Sequence, residues 1–261
     1  MSSKTVMKAL NILEMFSIHK PCWGLRELAN ELEMSHTIVH RLLTTFTEKG
    51  YLFKNPDTQK YELGIKFLEL SNVVEENLKI SEIIHPIMKK VALESGESIV
   101  LTLLDQDEGV FMKIVESDRQ VRFAESIGKR SPLYKGASHK VILANLPEDH
   151  QGGIIQQGID SKAEEIESVS VFLQRLAIIK QQGWAYTSGE TIHEVGAISA
   201  PLFDYQNQVL GSLSVAGPAY RLEESNIEMT ATILMKYCLE LSAVLSKVVF
   251  PTRRNYLFEK L

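Results

Sequence analysis

The stretch from Leu25 to Gly50, LRELANELEMSHTIVHRLLTTFTEKG, admits few folds, because its apolar positions follow the helical period twice with a three-residue break between. Leu25, Leu28, Ala29 and Leu32 stand at i, i+3, i+4 and i+7, a stripe wide enough to bury one helix face, while Glu27 and Glu31 point to solvent. Glu33-Met34-Ser35 interrupts the pattern, and the Ser35 hydroxyl suits the cap of a second helix, where it accepts from a first-turn amide. In that helix Val39, Leu42, Leu43 and Phe46 build the buried stripe, and Thr37, His40, Arg41 and Thr44 repeat the spacing on a polar face without an acidic residue. Gly50 fits the left-handed position just past its end. Such a pair is what a helix-turn-helix DNA reader requires. Ser35, His36, Thr37, His40, Arg41 and Thr44 are its candidate contacts, since hydroxyls and cations donate to phosphates and Arg41 can fork onto a guanine edge. The competing reading is a helical hairpin with a solvated polar face.

The flanks extend the pattern. Val6, Ala9, Leu10, Leu13 and Phe16 define an upstream amphipathic helix able to close a three-helix core. Downstream, Tyr51–Lys54 and Gln59–Leu63 read as strands around Asn55-Pro56-Asp57-Thr58, where asparagine favours the first turn position and proline presets the second. Three helices and a hairpin make a winged helix, with Lys54 and Lys60 placed to reach phosphate or the minor groove. As edge lysines they equally discourage strand aggregation.

At 261 residues the chain is long enough for two units, since a domain takes roughly 100 to 200 residues. No apolar run approaches the roughly 18 residues of a membrane span, and the N-terminus leads into an amphipathic rather than a signal-type segment, so a cytoplasmic protein without a membrane partner is expected. Cys22 and Cys238 have no ligand spacing and read as structural thiols. The formal charge of -5 argues at first against nucleic acid, yet residues 1 to 64 carry eight Lys or Arg and seven Asp or Glu, a net +1. So small a surplus neutralises few phosphates per subunit. Useful affinity then calls for self-association on paired half-sites, as a dimer or a tetramer.

Ile65 to Asn77 outlines a connecting helix through Phe67, Leu68, Ser71 and Val74, and such a segment can pair with its copy; it equally reads as part of one long helix packed on its own domain. Ile84, Ile87, Met88 and Val91 form another stripe from near Ser81 to Gly96, with Pro86 bending it or marking its first turns. Beyond Glu97, strands are expected over Ser98–Leu104, Val110–Val115, Val121–Ala124, Ala197–Phe203 and Val209–Val215. Helices are expected over Ser138–Asn145, Val169–Gln182 and Asn226–Val248. The class is α+β, a largely antiparallel sheet with helices on its faces.

Several ordered fragments resemble the IclR family of bacterial transcriptional regulators: Ala9-Leu10-x-Ile12-Leu13-Glu14, Val39-His40-Arg41-Leu42-Leu43, Tyr61-x-Leu63-Gly64, Pro132-Leu133, Gly136-Ala137 with Lys140 and Leu143-Ala144, Ser188-Gly189-Glu190, Val195-Gly196-Ala197, Ala200-Pro201 and Ser214-Val215-x-Gly217-Pro218. The resemblance implies a winged helix-turn-helix domain over 1–64, a dimerising linker helix over 65–79 and a GAF-like effector-binding domain over 80–261. It implies a ligand-responsive regulator, more often a repressor, acting on a double-stranded DNA operator. Two departures stand out. The family usually carries Ser-Thr where this chain has Thr37-Ile38, and its pocket loop commonly reads Thr-Ala-x-Gly-Lys where this chain has Gly136-Ala137-Ser138-His139-Lys140.

In that fold, strand alternation sorts the pocket. Ser212, Ser214 and Ala216 share one face against Leu213 and Val215, and Ala197 and Ser199 lie opposite Ile198 and Ala200. Gly136, Ala137 and Ser138 open a helix whose free amides and dipole suit an anion, so a small organic acid or sugar-derived acid is the expected effector of a catabolic operon, with Glu190 a further polar candidate. The same serines can instead satisfy neighbouring backbone, and Ser138 can act only as a cap. No catalytic, metal or cofactor set is expected. His193-Glu194 starts like a zinc-protease motif, but Ala197 replaces its second histidine, and no G-x-S-x-G elbow, P-loop or dinucleotide fingerprint occurs. The alternatives are an enzyme whose catalytic C-terminal domain carries a helical interaction module, and a protein-binding winged helix.

Overall fold

Ser3 starts the first helix, its side chain accepting from the Val6 amide, and α1 (Lys4–Glu14) runs until its apolar period ends. Helices α2 (Leu25–Glu31) and α3 (His36–Glu48) follow, with Glu33 at φ 51 in the turn between them. Ile12, Leu28, Ala29, Val39 and Leu43 form the centre of this core, closed by Trp23, Leu52 and Tyr61. The buried face of α1 is set on Ile12, whereas Val6 and Leu10, expected inside, stand exposed. Leu13 and Phe16 of the same stripe do pack against this core, and the Trp23 indole N–H donates to the Met15 carbonyl at 2.8 Å just past the helix end. Trp23 belongs to a strand too short to show alternation, β1 (Cys22–Trp23), which joins β2 (Leu52–Lys54) and β3 (Tyr61–Leu63) in the antiparallel order β1-β3-β2. Helix α4 (Lys66–Leu78) then presents Leu68, Val73 and Val74 to solvent.

The computed structural model describes residues 2–78, 80–123, 125–222, 224–245, 250 and 252. The chain folds as two compact units, Met1–Asn77 and Leu78–Leu261. The second opens with a π-helical turn, Ile80–Ile84, and α5 (His85–Ser95), where Pro86 occupies the first turn and forfeits no helical bond. Six strands, β4 (Ser98–Asp105), β5 (Glu108–Val115), β6 (Arg130–Pro132), β7 (Ala185–Ser188), β8 (Val195–Phe203) and β9 (Val209–Pro218), form one antiparallel sheet in the order β6-β5-β4-β9-β8-β7. One face packs Leu101, Leu103, Ile198, Leu213 and Val215 against α5 and α9 (Glu224–Leu245). The opposite face meets α6 (Ala137–Leu143), with α7 (Glu148–Asp160) and α8 (Val169–Gln182) behind it.

Four elements depart from the sequence expectations. Val121–Phe123 is not a strand; the Ser98 hydroxyl and the Arg221 guanidinium donate to the Phe123 and Val121 carbonyls, which no ladder then needs, and Ala124 lies outside the described residues. β6 and β7 take the two sheet edges, each too short to be read from alternation. Helix α7 forms despite Gly152 and Gly153 because Ile154 and Ile155 are buried against the neighbouring helices. The closing helix is described to Leu245, and residues 246–248 of its expected span lie outside the described residues. Among the described residues no helix is long and apolar enough to cross a membrane.

Candidate functional site

Helix α3 is held by its cap and its apolar stripe. The Ser35 hydroxyl accepts from the Ile38 amide at 3.4 Å, so its place is structural as well as terminal. His36, Thr37, His40, Arg41 and Thr44 are exposed, the last four along one face of the helix opposite buried Val39 and Leu43. On the wing, the Asn55 side-chain carbonyl accepts from the amides of Asp57 and Thr58 and closes the turn. Lys54 is exposed, 5.8 Å above the Tyr61 ring. Lys60 behaves differently: its ammonium pairs with Glu27 of α2 at 3.2 Å, tying the wing to the three-helix core. The Gly24 amide first, and then Lys60, hold the Glu27 carboxyl below its usual range.

In the second unit a small cavity of about 30 Å³ lies on the α6 side of the sheet. Val100, Phe111, Phe123 and Val195 supply its apolar walls, Ala197 and Ala216 its small-residue floor, and Ser138, Thr187, Thr191 and Ser214 its hydroxyls. Of the pocket residues read from the sequence, Ala137, Ser138, Ala197 and Ser214 line this space. Ser199 is fully buried and shares a 2.7 Å hydrogen bond with Ser214, while the Ser212 hydroxyl donates to the Ser138 carbonyl and holds the start of α6 against β9. Phe111, Phe123, Thr187 and Thr191 went unread. Period-two alternation in β5 marks Phe111, but the others sit on irregular or very short segments.

Two of the amides at the start of α6, expected to be free, already have partners. Gly136 N–H donates to the Glu190 carboxylate at 3.0 Å, and Ala137 N–H donates to the Thr187 hydroxyl at 2.9 Å. A buried helix start needs such acceptors, and the 187–190 segment folds back to provide them. Glu190 also accepts from Lys140 at 2.6 Å, with side chains 25 % and 12 % exposed respectively. Gly136 has φ 85, and a Cβ there would stand 2.4 Å from the Thr191 hydroxyl. Glycine at the family's threonine position therefore admits a hydroxyl from across the cavity.

His139, where the family pattern has glycine, is fully buried. Its Nδ1 is 2.8 Å from the Ser138 hydroxyl, its Nε2 is 3.4 Å from the Gly109 carbonyl, and Phe111 meets it edge-on at 5.7 Å. The ring lies over Gly109, where an added Cβ would come within 2.5 Å of it. Burial drives the imidazole pKa down to about 4; the Gly109 carbonyl opposes the shift and the Lys129 ammonium adds to it. The folded value lies below the unfolded one, so this stabilisation is complete above the unfolded pKa and is lost as pH falls towards the folded pKa. Urea unfolding between about pH 7 and about pH 5 should show this contribution shrink by on the order of 2 kcal/mol. His139→Gln should flatten that part of the dependence, and an unchanged slope in the variant would contradict the assignment.

Among the described residues no cluster of His, Cys, Asp and Glu is placed to hold a metal ion. The model of the IclR helix-turn-helix domain matches residues 5–56, and that of the bacterial transcriptional regulator IclR C-terminal domain matches residues 73–243. The HTH-type transcriptional regulator KipR of Bacillus subtilis is 31 % identical over 242 residues, covering 92 % of this chain and 96 % of its own. The crystal structure of an IclR-type regulator from Alicyclobacillus acidocaldarius superposes with a TM-score of 0.82 at 23 % identity, over 93 % of this chain and 99 % of that one. An IclR homologue from Microbacterium hydrocarbonoxydans, crystallised with 4-hydroxybenzoate, superposes with a TM-score of 0.77 at 18 % identity, over 93 % and 99 %. With both halves matched by their own domain models and a full-length relative above 30 % identity, the chain belongs to the IclR family of bacterial transcriptional regulators.

Proposed function

We propose that this regulator is a cytoplasmic repressor of a catabolic operon, released or tightened on its operator by a small organic acid or sugar acid bound at the cavity on the α6 side of the sheet. His36, Thr37, His40, Arg41 and Thr44 face the major groove, with Ser35 at the helix start and the wing lysines Lys54 and Lys60 beside the backbone. Two or four copies act together, because the nearly neutral first 64 residues supply too few phosphate contacts alone.

The observation that carries the acid reading is Glu190, a carboxylate already seated on the Gly136 amide and the Lys140 ammonium beside the cavity. An effector carboxylate takes the same two donors and sets Glu190 free, so ligand binding and the position of the 187–194 segment exchange with one another. That exchange supplies the differential affinity for two arrangements which any ligand-driven switch needs. The crystallised complex of the Microbacterium homologue with 4-hydroxybenzoate, itself an acid, is in keeping with it.

A mobility-shift titration on DNA upstream of the chain's own gene, repeated with a panel of small acids, tests the reading. Deleting the gene should raise transcription of the neighbouring operon; a fall would make the protein an activator. An acid that raises the melting temperature should also move the DNA titration. Glu190→Gln removes the charged internal competitor and should tighten acid binding several-fold. Weaker binding in that variant would count against the exchange.

A further inference from the structure

His139 stands where the family pattern has glycine, and its ring fixes the direction of a hydrogen bond on the cavity wall. The Gly109 carbonyl can only accept, so at 3.4 Å the facing Nε2 carries the ring proton; the opposite tautomer would set two lone pairs against each other in a buried site. Nδ1 is then an acceptor, and its partner at 2.8 Å, the Ser138 hydroxyl, must donate to it. Ser138 lines the cavity, and with its only proton committed to His139 it turns lone pairs alone towards a ligand. Thr187 is set the opposite way: its oxygen accepts from the Ala137 amide at 2.9 Å, leaving its O–H to donate. Both hydroxyls face a space walled by Phe111 and Phe123.

We propose that His139 is a specificity-determining residue, which polarises Ser138 into an acceptor and so selects effectors that present a hydroxyl donor at that point. Resting on the acid-effector reading above, this narrows the class to hydroxy acids with a flat apolar body: the carboxyl oxygens meet donors, the hydroxyl meets Ser138, and the ring or chain lies between the two phenylalanines. A keto or halogen group in place of the hydroxyl brings a second acceptor against Ser138 and leaves both unsatisfied. His139 acts through Ser138 and does not itself touch the ligand.

Two measurements on the full-length protein test this. With nitrogen-labelled histidine, the His139 ring at neutral pH should appear as the uncharged Nε2–H tautomer, and Ser138→Ala should shift its Nδ1 resonance alone. A charged ring or the Nδ1–H tautomer overturns the proposal without bearing on whether acids bind. Calorimetry then compares pairs differing only at the donor, 4-hydroxybenzoate against 4-fluorobenzoate and mandelate against phenylglyoxylate. The hydroxyl member of at least one pair should bind at least about tenfold tighter to the wild type. Ser138→Ala should bring that ratio close to one, and His139→Gln, whose amide can turn either way, should reduce it. Equal or inverted preference in the wild type, or a preference that survives Ser138→Ala, overturns the donor rule alone. Failure of all four probes to bind overturns it together with the acid reading.

Discussion

Gly109→Ala is expected to destabilise the second unit by about 3 kcal/mol, because its methyl group would lie 2.5 Å from His139 Cδ2, 2.6 Å from Nε2 and 2.9 Å from Thr102 Cγ2. None of these neighbours gives way easily. The imidazole is held on one side by Ser138 and faced by Phe111, and Thr102 is a fully buried strand residue. For a unit of this size the melting temperature should fall by roughly 10 °C. His139→Ala alone should also cost about 2 to 3 kcal/mol, since it opens a cavity beside the sheet. In the double variant the methyl group added at position 109 enters the space vacated by the ring, so the combined loss should fall short of the sum by about 2 kcal/mol. Thermal and urea unfolding of the four proteins measure this coupling. Losses that add to within about 0.5 kcal/mol would show that glycine at 109 and histidine at 139 do not depend on each other.

Arg41→Ala should abolish specific operator binding at physiological salt while leaving unfolding of the first unit unchanged. The side chain is exposed on α3 and supports no part of the core. A guanidinium forked onto one guanine contributes about 2 kcal/mol, or roughly thirtyfold, so two heads on one operator should lose roughly a thousandfold. Arg41→Lys keeps the charge but loses the fork; it should retain non-specific binding and its salt dependence while losing most discrimination between operator and unrelated DNA. Quantitative mobility shifts at two salt concentrations separate these effects. Full specific affinity in Arg41→Ala would remove Arg41 from the reading face.

The same contrast between local pattern and distant partner marks how much of the sites was legible. Helices α2 and α3 and the face carrying Thr37, His40, Arg41 and Thr44 follow from the helical period, because exposure on a helix repeats with the backbone itself. Strand parity separated Ser212 and Ser214 from Leu213 and Val215 for the same reason, and the latter two pack with α5 and α9. The period misled at α1, where Val6 and Leu10 match the stripe yet lie outside the core. The C-terminal half of the stripe, Leu13 and Phe16, does pack against the core beside Trp23, whose two-residue strand carries no pattern to announce it.

By itself, then, the sequence determined the longer helices and strands and their order, the family, and which residues each of those elements turns towards the same side, since these depend on neighbours within a few positions and on ordered motifs. The tertiary structure alone decided what those residues meet. It brought Glu190 to Gly136 and Lys140 across 54 and 50 positions, Lys60 to Glu27 across 33, and His139 to Gly109 across 30. Side-chain chemistry states what each group can donate or accept, but only chain folding determines which acceptor reaches a donor first. A helix start that looked open to a ligand was thereby closed by the protein's own carboxylate, and a serine free to donate was turned into an acceptor by the histidine beside it.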